Sequence, residues 1–113
     1  MGLLEKRKYP RKAINLIVDY RSQNICQYKA ASNISWGGLF IQTTETDSAG
    51  AKANLVLHFP QDEQAYEAKG RVVWVRRIDQ RQPGGKIYPA GIGLELLELS
   101  ELTKKKIQGF LEV

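Results

Sequence analysis

Apolar and polar residues alternate along most of the chain, which is the pattern of β-strands that bury one face. In the first such segment, for example, Leu16, Val18 and Tyr20 fall on the same face. Polar or glycine-containing turns separate the alternating segments. The predicted strands are residues 13–21, 25–35, 39–43, 53–59, 66–77 and 90–97.

The pattern changes after Leu99, where apolar residues recur at helical spacing. Ser100 is a suitable N-cap and Glu101 lies near the positive end of the helix dipole. The sequence therefore predicts one helix over residues 101–111. The chain is mainly β, and such strands with a terminal helix most economically form a six-stranded antiparallel β-barrel whose mouth or flank the helix covers.

Two segments lack a hydrophobic period. Residues 1–12 contain Pro10 and several basic side chains, so we predict a flexible basic arm ahead of a barrel domain at residues 13–113. Residues 79–86 contain a Pro-Gly-Gly sequence and are expected to form the most mobile internal loop.

Length and charge limit the function classes. A chain of 113 residues has room for one domain. Its net charge of +5 favours an anionic partner. The basic residues concentrate near the two ends and the aromatic residues form no stacking row, so nucleic acid is the least favoured anion.

Few residues offer catalytic or metal chemistry. His58 and Cys26 are the only residues of their types and cannot make the usual nitrogen and sulfur metal set. No phosphate-binding loop or nucleophile motif is present, and Asp47 and Asp62 fall in predicted loops, where solvation is expected. We expect no catalytic residue, metal or cofactor, and therefore a binding protein rather than an enzyme.

The single cysteine also bears on location. Cys26 cannot form an internal disulfide, which fits a reducing compartment. No segment approaches the about 18 apolar residues of a membrane helix. We expect a cytoplasmic protein without membrane insertion, and a small, half-buried Cys26 on its strand.

Two short segments carry the candidate binding chemistry. Arg7 and Arg11 place two guanidinium groups four residues apart. Asn33 and Ser35 lie two apart on a predicted strand and share a face, and Gly38 lets a ligand approach the backbone. A guanidinium group matches either a phosphate or the O6/N7 edge of guanine. These residue types predict a site for a guanine-bearing phosphodiester.

The same residues carry a family resemblance. Arg7-x-x-x-Arg11 followed by Asn33-x-Ser35-x-x-Gly38 resembles the two-part signature of PilZ domains, bacterial receptors for cyclic di-GMP. Later segments agree in order and spacing, and the resemblance covers roughly residues 5–112. These segments are Gly38-Leu39-Phe40-Ile41, Leu55-Val56-Leu57-His58-Phe59-Pro60, Gly70-Arg71-Val72-Val73-Trp74-Val75 and Gly91-Ile92-Gly93-Leu94-Glu95-Leu96.

The resemblance implies roles for these residues. Arg7 and Arg11 would clamp the phosphodiester and the guanine Hoogsteen edge, and Asn33 and Ser35 would contact a guanine edge and a phosphate. Asn33 stands where the family pattern allows Asp or Asn, and its neutral amide lacks a charge-assisted bond to guanine donors.

Further candidate contacts remain open between two interpretations. Trp36 either packs in the core or stacks on guanine, whereas Trp74, flanked by valines, is expected in the core or barrel wall. Gly37 would help provide clearance. Lys6 and Arg71 are either surface cations or contacts to a second stacked ligand molecule.

Two functional hypotheses follow. In the first, cyclic di-GMP orders the arginine arm against the barrel and changes a surface that an unidentified downstream protein recognises in trans. In the second, the same fold is a protein-interaction adaptor that binds no nucleotide. Either would be a monomer or weak dimer.

Overall fold

The structure, a computed structural model, describes the backbone of residues 12–112 and the side chains of residues 15–112. Its strands and helix follow the predicted order. The elements are β1 (Lys12–Ser22), β2 (Cys26–Ile34), β3 (Gly38–Gln42), β4 (Lys52–His58), β5 (Ala65–Arg76), β6 (Gln80–Arg81), β7 (Ile87–Tyr88), β8 (Gly91–Leu99) and α1 (Glu101–Leu111). The strands β1, β2, β3, β8, β5 and β4 close, in that order, into an antiparallel barrel, so the predicted fold class is confirmed.

The barrel interior is the hydrophobic core. Alternation along β1 points Leu16, Val18 and Tyr20 inward, and all three side chains are fully buried. Each other barrel strand contributes further aliphatic side chains in the same way. Full burial of one such side chain stabilises the fold by about 1.5–3 kcal/mol relative to exposure. The predicted inward face of β1 therefore packs in the barrel core.

The terminal helix begins and ends where the sequence predicts. The Ser100 hydroxyl accepts a hydrogen bond from the Thr103 backbone N–H at 3.1 Å, and the Thr103 hydroxyl donates to the Glu67 carbonyl at 2.9 Å. Ile107 is fully buried, and Lys106 forms a 2.8 Å ion pair with Asp62. These contacts fasten the helix against β5 and the turn that precedes it.

The segment expected to be a mobile loop contains a short hairpin instead. Strands β6 and β7 pair antiparallel, with Gln80 opposite Tyr88 and Arg81 opposite Ile87. Gly84 and Gly85 adopt φ values of +92° and +91°, which the turn requires and which residues with a Cβ rarely adopt. Strands this short have no detectable period, so the pattern missed them.

Asp47 is buried, which corrects the expectation of a solvated loop residue. It accepts hydrogen bonds from the Tyr20 hydroxyl at 2.8 Å, from the Ser22 hydroxyl and from the Ser48 N–H at 3.0 Å. Burial raises the pKa of Asp47, but the hydrogen bonds from Ser22 and Tyr20 outweigh it and the pKa lies below its usual value. The carboxylate joins the β3–β4 loop to β1.

Two smaller expectations also change. Cys26 is exposed rather than half-buried. Lys12, assigned to the arm by the sequence pattern, is the first residue of β1 and pairs with Ile34 of β2.

Candidate ligand-binding cleft

The second motif lies at the turn between β2 and β3. The Ser35 N–H donates to the Gly38 carbonyl at 2.8 Å, which closes the turn, and the Leu96 N–H of β8 donates to the Gly37 carbonyl at 3.0 Å. Ile34, fully buried, anchors the strand just before the turn. The motif is thus held by backbone hydrogen bonds on both sides.

Four predicted residues line one cleft of about 190 Å³, here called the β3–β8 cleft. They are Asn33, Ser35, Gly37 and Gly38, and both polar side chains are half-buried. Asn33 and Ser35 therefore reach the same cleft, although β2 ends at Ile34 and Ser35 lies in the turn rather than on the predicted strand. The other lining residues come from β3, β5 and β8 and are Leu39, Phe40, Val73, Trp74, Gly93, Leu94 and Glu95.

Gly38 is required by the barrel itself. A Cβ on this residue would collide with the backbone carbonyl oxygen of Leu94 on the neighbouring strand β8. The sequence assigned Gly38 to ligand clearance, whereas in the structure its missing Cβ also allows the close approach of β3 and β8. Because no side chain projects from Gly38, the cleft also stays open above it.

A stacked aromatic pair forms one wall of the cleft. Phe40 and Trp74 lie with ring centroids 5.1 Å apart and planes at 13°. Both residues are register partners of Gly93, and a Cβ on Gly93 would collide with the Trp74 indole nitrogen. Phe40 alternates with the core residues Leu39 and Ile41, so the pair lies on the outer side of the barrel wall, where Phe40 is buried and Trp74 is half-buried.

The side chain of Arg76 lies next to Trp74 at the end of this wall. The Arg76 guanidinium lies 5.0 Å from the Trp74 ring centroid and 5.3 Å from that of Tyr88, and it donates to the Pro89 carbonyl at 2.7 Å. A second depression of about 290 Å³ begins here and shares Asn33, Phe40 and Trp74 with the cleft. Together they form a continuous surface of aromatic faces and polar groups.

Arg71 does not line the cleft, but its partner does. The Arg71 guanidinium donates to the Glu95 carboxylate, its register partner across β5 and β8. Both side chains are partly exposed, at 44% and 36%. Arg71, a candidate contact to a second ligand molecule, lies outside the cleft in the structure and holds a carboxylate that lines it.

The remaining candidates separate into two groups. Trp36 is partly buried against the core and is not among the residues that line the cleft, which supports its core interpretation. Lys6, Arg7 and Arg11 lie outside the described residues. Lys12, the first residue of β1, pairs with Ile34, the residue between Asn33 and Ser35.

Sequence reasoning missed the aromatic wall and Glu95. Trp74 was assigned to the core or barrel wall, and neither Phe40 nor Glu95 was considered as a site residue. The signal was the Gly91-x-Gly93 spacing on β8, because the missing Cβ atoms let the Phe40 and Trp74 rings lie across this strand.

The chemistry of the cleft favours binding of a flat, polar molecule. It offers an aromatic face, an amide, a hydroxyl and a carboxylate. Among residues 15–112, no three His, Cys, Asp or Glu side chains are grouped to hold a metal ion. His58 lies near Tyr28 at 5.7 Å between ring centroids and is not part of the cleft. In the same part of the chain, α1 is neither long nor apolar enough to span a membrane.

The sequence profile of the PilZ domain matches residues 5–112. The chain belongs to the PilZ domain family. The match covers the arginine motif, the β2–β3 motif and every strand of the barrel, so the resemblance seen in the sequence is confirmed.

Two solved structures of PilZ proteins share the fold. The Bacillus subtilis inhibitor of motility, MotI/DgrA, superimposes with a TM-score of 0.72 at 18% identity over 96% of this chain. The PilZ domain of Escherichia coli YcgR, solved with cyclic di-GMP, gives a TM-score of 0.70 at 11% identity over 96% of this chain. The chain spans 50% of the first protein and 90% of the second. No curated protein sequence matches it.

Proposed function

We propose that this PilZ domain is a cyclic di-GMP receptor whose ligand lies in the β3–β8 cleft. One observation carries the proposal: the cleft joins the predicted Asn33, Ser35 and Gly38 to the indole of Trp74, which stacks on the buried ring of Phe40. A guanine base stacks on such a face, and stacking of one base on an aromatic side chain contributes about 1–3 kcal/mol.

The arginine motif supplies the positive charge that the cleft lacks. Its segment joins the barrel at Lys12, beside Ile34, and therefore at the rim that carries Asn33 and Ser35. Arg7 is five residues from Lys12, so a fully extended segment reaches about 17 Å. Both arginines can meet a phosphodiester held at the cleft without any rearrangement of the barrel.

Binding would act through a difference between two states. With ligand, Arg7 and Arg11 hold the arm against the barrel; without it, those bonds are absent. A ligand shifts such an equilibrium only by its differential affinity for the two states. The arm then exposes or covers a surface for a partner protein, which makes the chain a receptor that works in trans as an adaptor.

Titration calorimetry with cyclic di-GMP tests the proposal. Each charge-assisted hydrogen bond contributes about 1.5–3 kcal/mol, so Arg7→Ala and Arg11→Ala should each weaken binding about 10- to 100-fold. Lys8→Ala is the control, because it removes an equal charge from the same segment outside the motif. Equal losses of affinity in all three variants would mean that only the net charge of the segment matters. Unchanged affinity in both arginine variants would reject Arg7 and Arg11 as ligand contacts.

A second function has an observation in its favour. The cleft presents the neutral Asn33 and the carboxylate of Glu95, and neither attracts a dianion. The alternative is therefore a PilZ adaptor that binds protein and no nucleotide. Thermal unfolding separates the two, because a ligand at 100 times its Kd stabilises the native state by about 2.7 kcal/mol. No shift with excess cyclic di-GMP would favour the adaptor.

A further inference from the structure

We propose that Glu95, positioned by Arg71, accepts hydrogen bonds from the Watson–Crick edge of a guanine base and makes the cleft select guanine over adenine. The inference rests on the proposed function, since it assigns a base-reading residue to the same cleft. It concerns the Watson–Crick edge of the base, whereas the arginine motif is expected at the phosphodiester and the guanine Hoogsteen edge.

The position of Glu95 is set by its two register partners on β8's neighbouring strands. On one side lies Gly38, whose missing side chain leaves the cleft open, and on the other lies Arg71. Glu95 lines the cleft together with Trp74 and Gly93. A base stacked on the Trp74 face therefore has the carboxylate available at its edge.

Charge decides what this carboxylate can bind. An ionised carboxylate only accepts hydrogen bonds and offers about four lone-pair positions. Arg71 donates one hydrogen bond, to Oε1, which leaves Oε2 free of that bond. Arg71 also neutralises the formal charge of the pair, so that Glu95 adds no net repulsion for the phosphates of the ligand.

Guanine is the base that matches such an acceptor. Its N1–H and N2–H₂ donors lie side by side on one edge, whereas adenine presents there one donor and the N1 lone pair, which a carboxylate repels. Asn33 and Ser35 are the other polar side chains of the cleft, but an amide and a hydroxyl each carry both donors and acceptors and discriminate less. A site built to bond a donor rejects the analogue that lacks it.

The experiment measures base preference in calorimetric titrations. The probes are cyclic di-GMP, cyclic di-AMP and cyclic di-IMP, whose hypoxanthine base lacks the N2 amine. Wild-type protein should bind cyclic di-GMP most tightly. Glu95→Gln and Glu95→Asp should each lower the ratio of the cyclic di-AMP Kd to the cyclic di-GMP Kd by about 10- to 100-fold. Both variants should also lower the ratio of the cyclic di-IMP Kd to the cyclic di-GMP Kd. Ratios of Kd values are compared because loss of the Glu95 carboxylate also leaves the positive charge of Arg71 unpaired, which changes the affinity for all three dinucleotides.

Glu98→Gln is the matched control. It removes the same charge from the same strand at an exposed position outside the cleft, so its ratios should equal those of the wild type. Wild-type ratios in both Glu95 variants, with cyclic di-GMP still bound, would overturn this inference and leave the proposed function standing. A wild-type protein that binds none of the three dinucleotides would overturn the proposed function and this inference with it.

Discussion

Replacement of Trp74 by alanine should remove most of the flat surface on which a base would lie. Stacking on an aromatic side chain contributes about 1–3 kcal/mol per base. At about 1.4 kcal/mol for each factor of ten, Trp74→Ala should raise the Kd for cyclic di-GMP by about 5- to 150-fold. The indole also holds Phe40 at 5.1 Å and Arg76 at 5.0 Å, so the neighbouring groups would lose their packing partner.

The cost in stability should be smaller than the cost of a core substitution. Loss of the Phe40 stack removes about 0.5–1.5 kcal/mol, and loss of the cation–π contact with the half-buried Arg76 removes about 0.5–1 kcal/mol. A small domain has about 5–15 kcal/mol of stability, and Trp74 lies outside the buried core. The variant should therefore remain folded, and its weaker binding should reflect the cleft alone.

Trp36→Ala provides the matched control because it removes the same residue type from a side chain that packs against the core and does not line the cleft. Titration calorimetry reports the affinity and urea unfolding reports the stability of both variants. Trp36→Ala should lose more stability than Trp74→Ala and should bind with wild-type affinity while folded. The reasoning fails if Trp74→Ala binds like the wild type, or if Trp36→Ala loses the greater share of affinity.

Two further predictions concern stability. Asp47→Ala leaves the buried Tyr20 hydroxyl and the half-buried Ser22 hydroxyl without their acceptor. The substitution should therefore lower the free energy of unfolding, measured in urea, by about 1–3 kcal/mol. An unchanged urea midpoint would contradict the role of this carboxylate. The hydrogen bond from Lys106 lowers the pKa of Asp62 to about 2, below its value in the unfolded chain, about 3.9. The pair therefore stabilises the fold above pH about 4 and ceases to do so as the pH falls towards 2. Between pH about 4 and 2, thermal unfolding should show a smaller loss of stability for Asp62→Asn than for the wild type. Parallel curves of stability against pH for the two proteins would refute the role of the Asp62 carboxylate.

Only part of the cleft can be predicted from the local sequence pattern. Asn33, Ser35, Gly37 and Gly38 were predicted together because they are near neighbours in the chain, and a spacing of two on a strand places side chains on one face. Trp74 and Glu95 reach the same cleft only because β5 and β8 pair in one particular register. No local period encodes that register.

Arg71 and Asp47 make the same point from outside the cleft. Arg71 was a candidate ligand contact on its residue type alone, and only cross-strand pairing shows that it donates to Glu95. Asp47 was expected in solvent because its own segment is polar, yet Tyr20, 27 residues away, donates to it inside the protein. In both cases a partner distant in sequence decides the role of a charged side chain.

The amino-acid sequence by itself determined the six barrel strands, the capped helix from Glu101 and the β2–β3 motif, because periodicity, capping and short spacing are local properties of a chain. Only the tertiary structure decided that Phe40 and Trp74 stack across Gly93 and that Glu95 faces the space above Gly38. The physical reason is barrel closure, since it brings β3, β8 and β5 side by side in a fixed register and so builds the cleft from segments that are far apart along the chain.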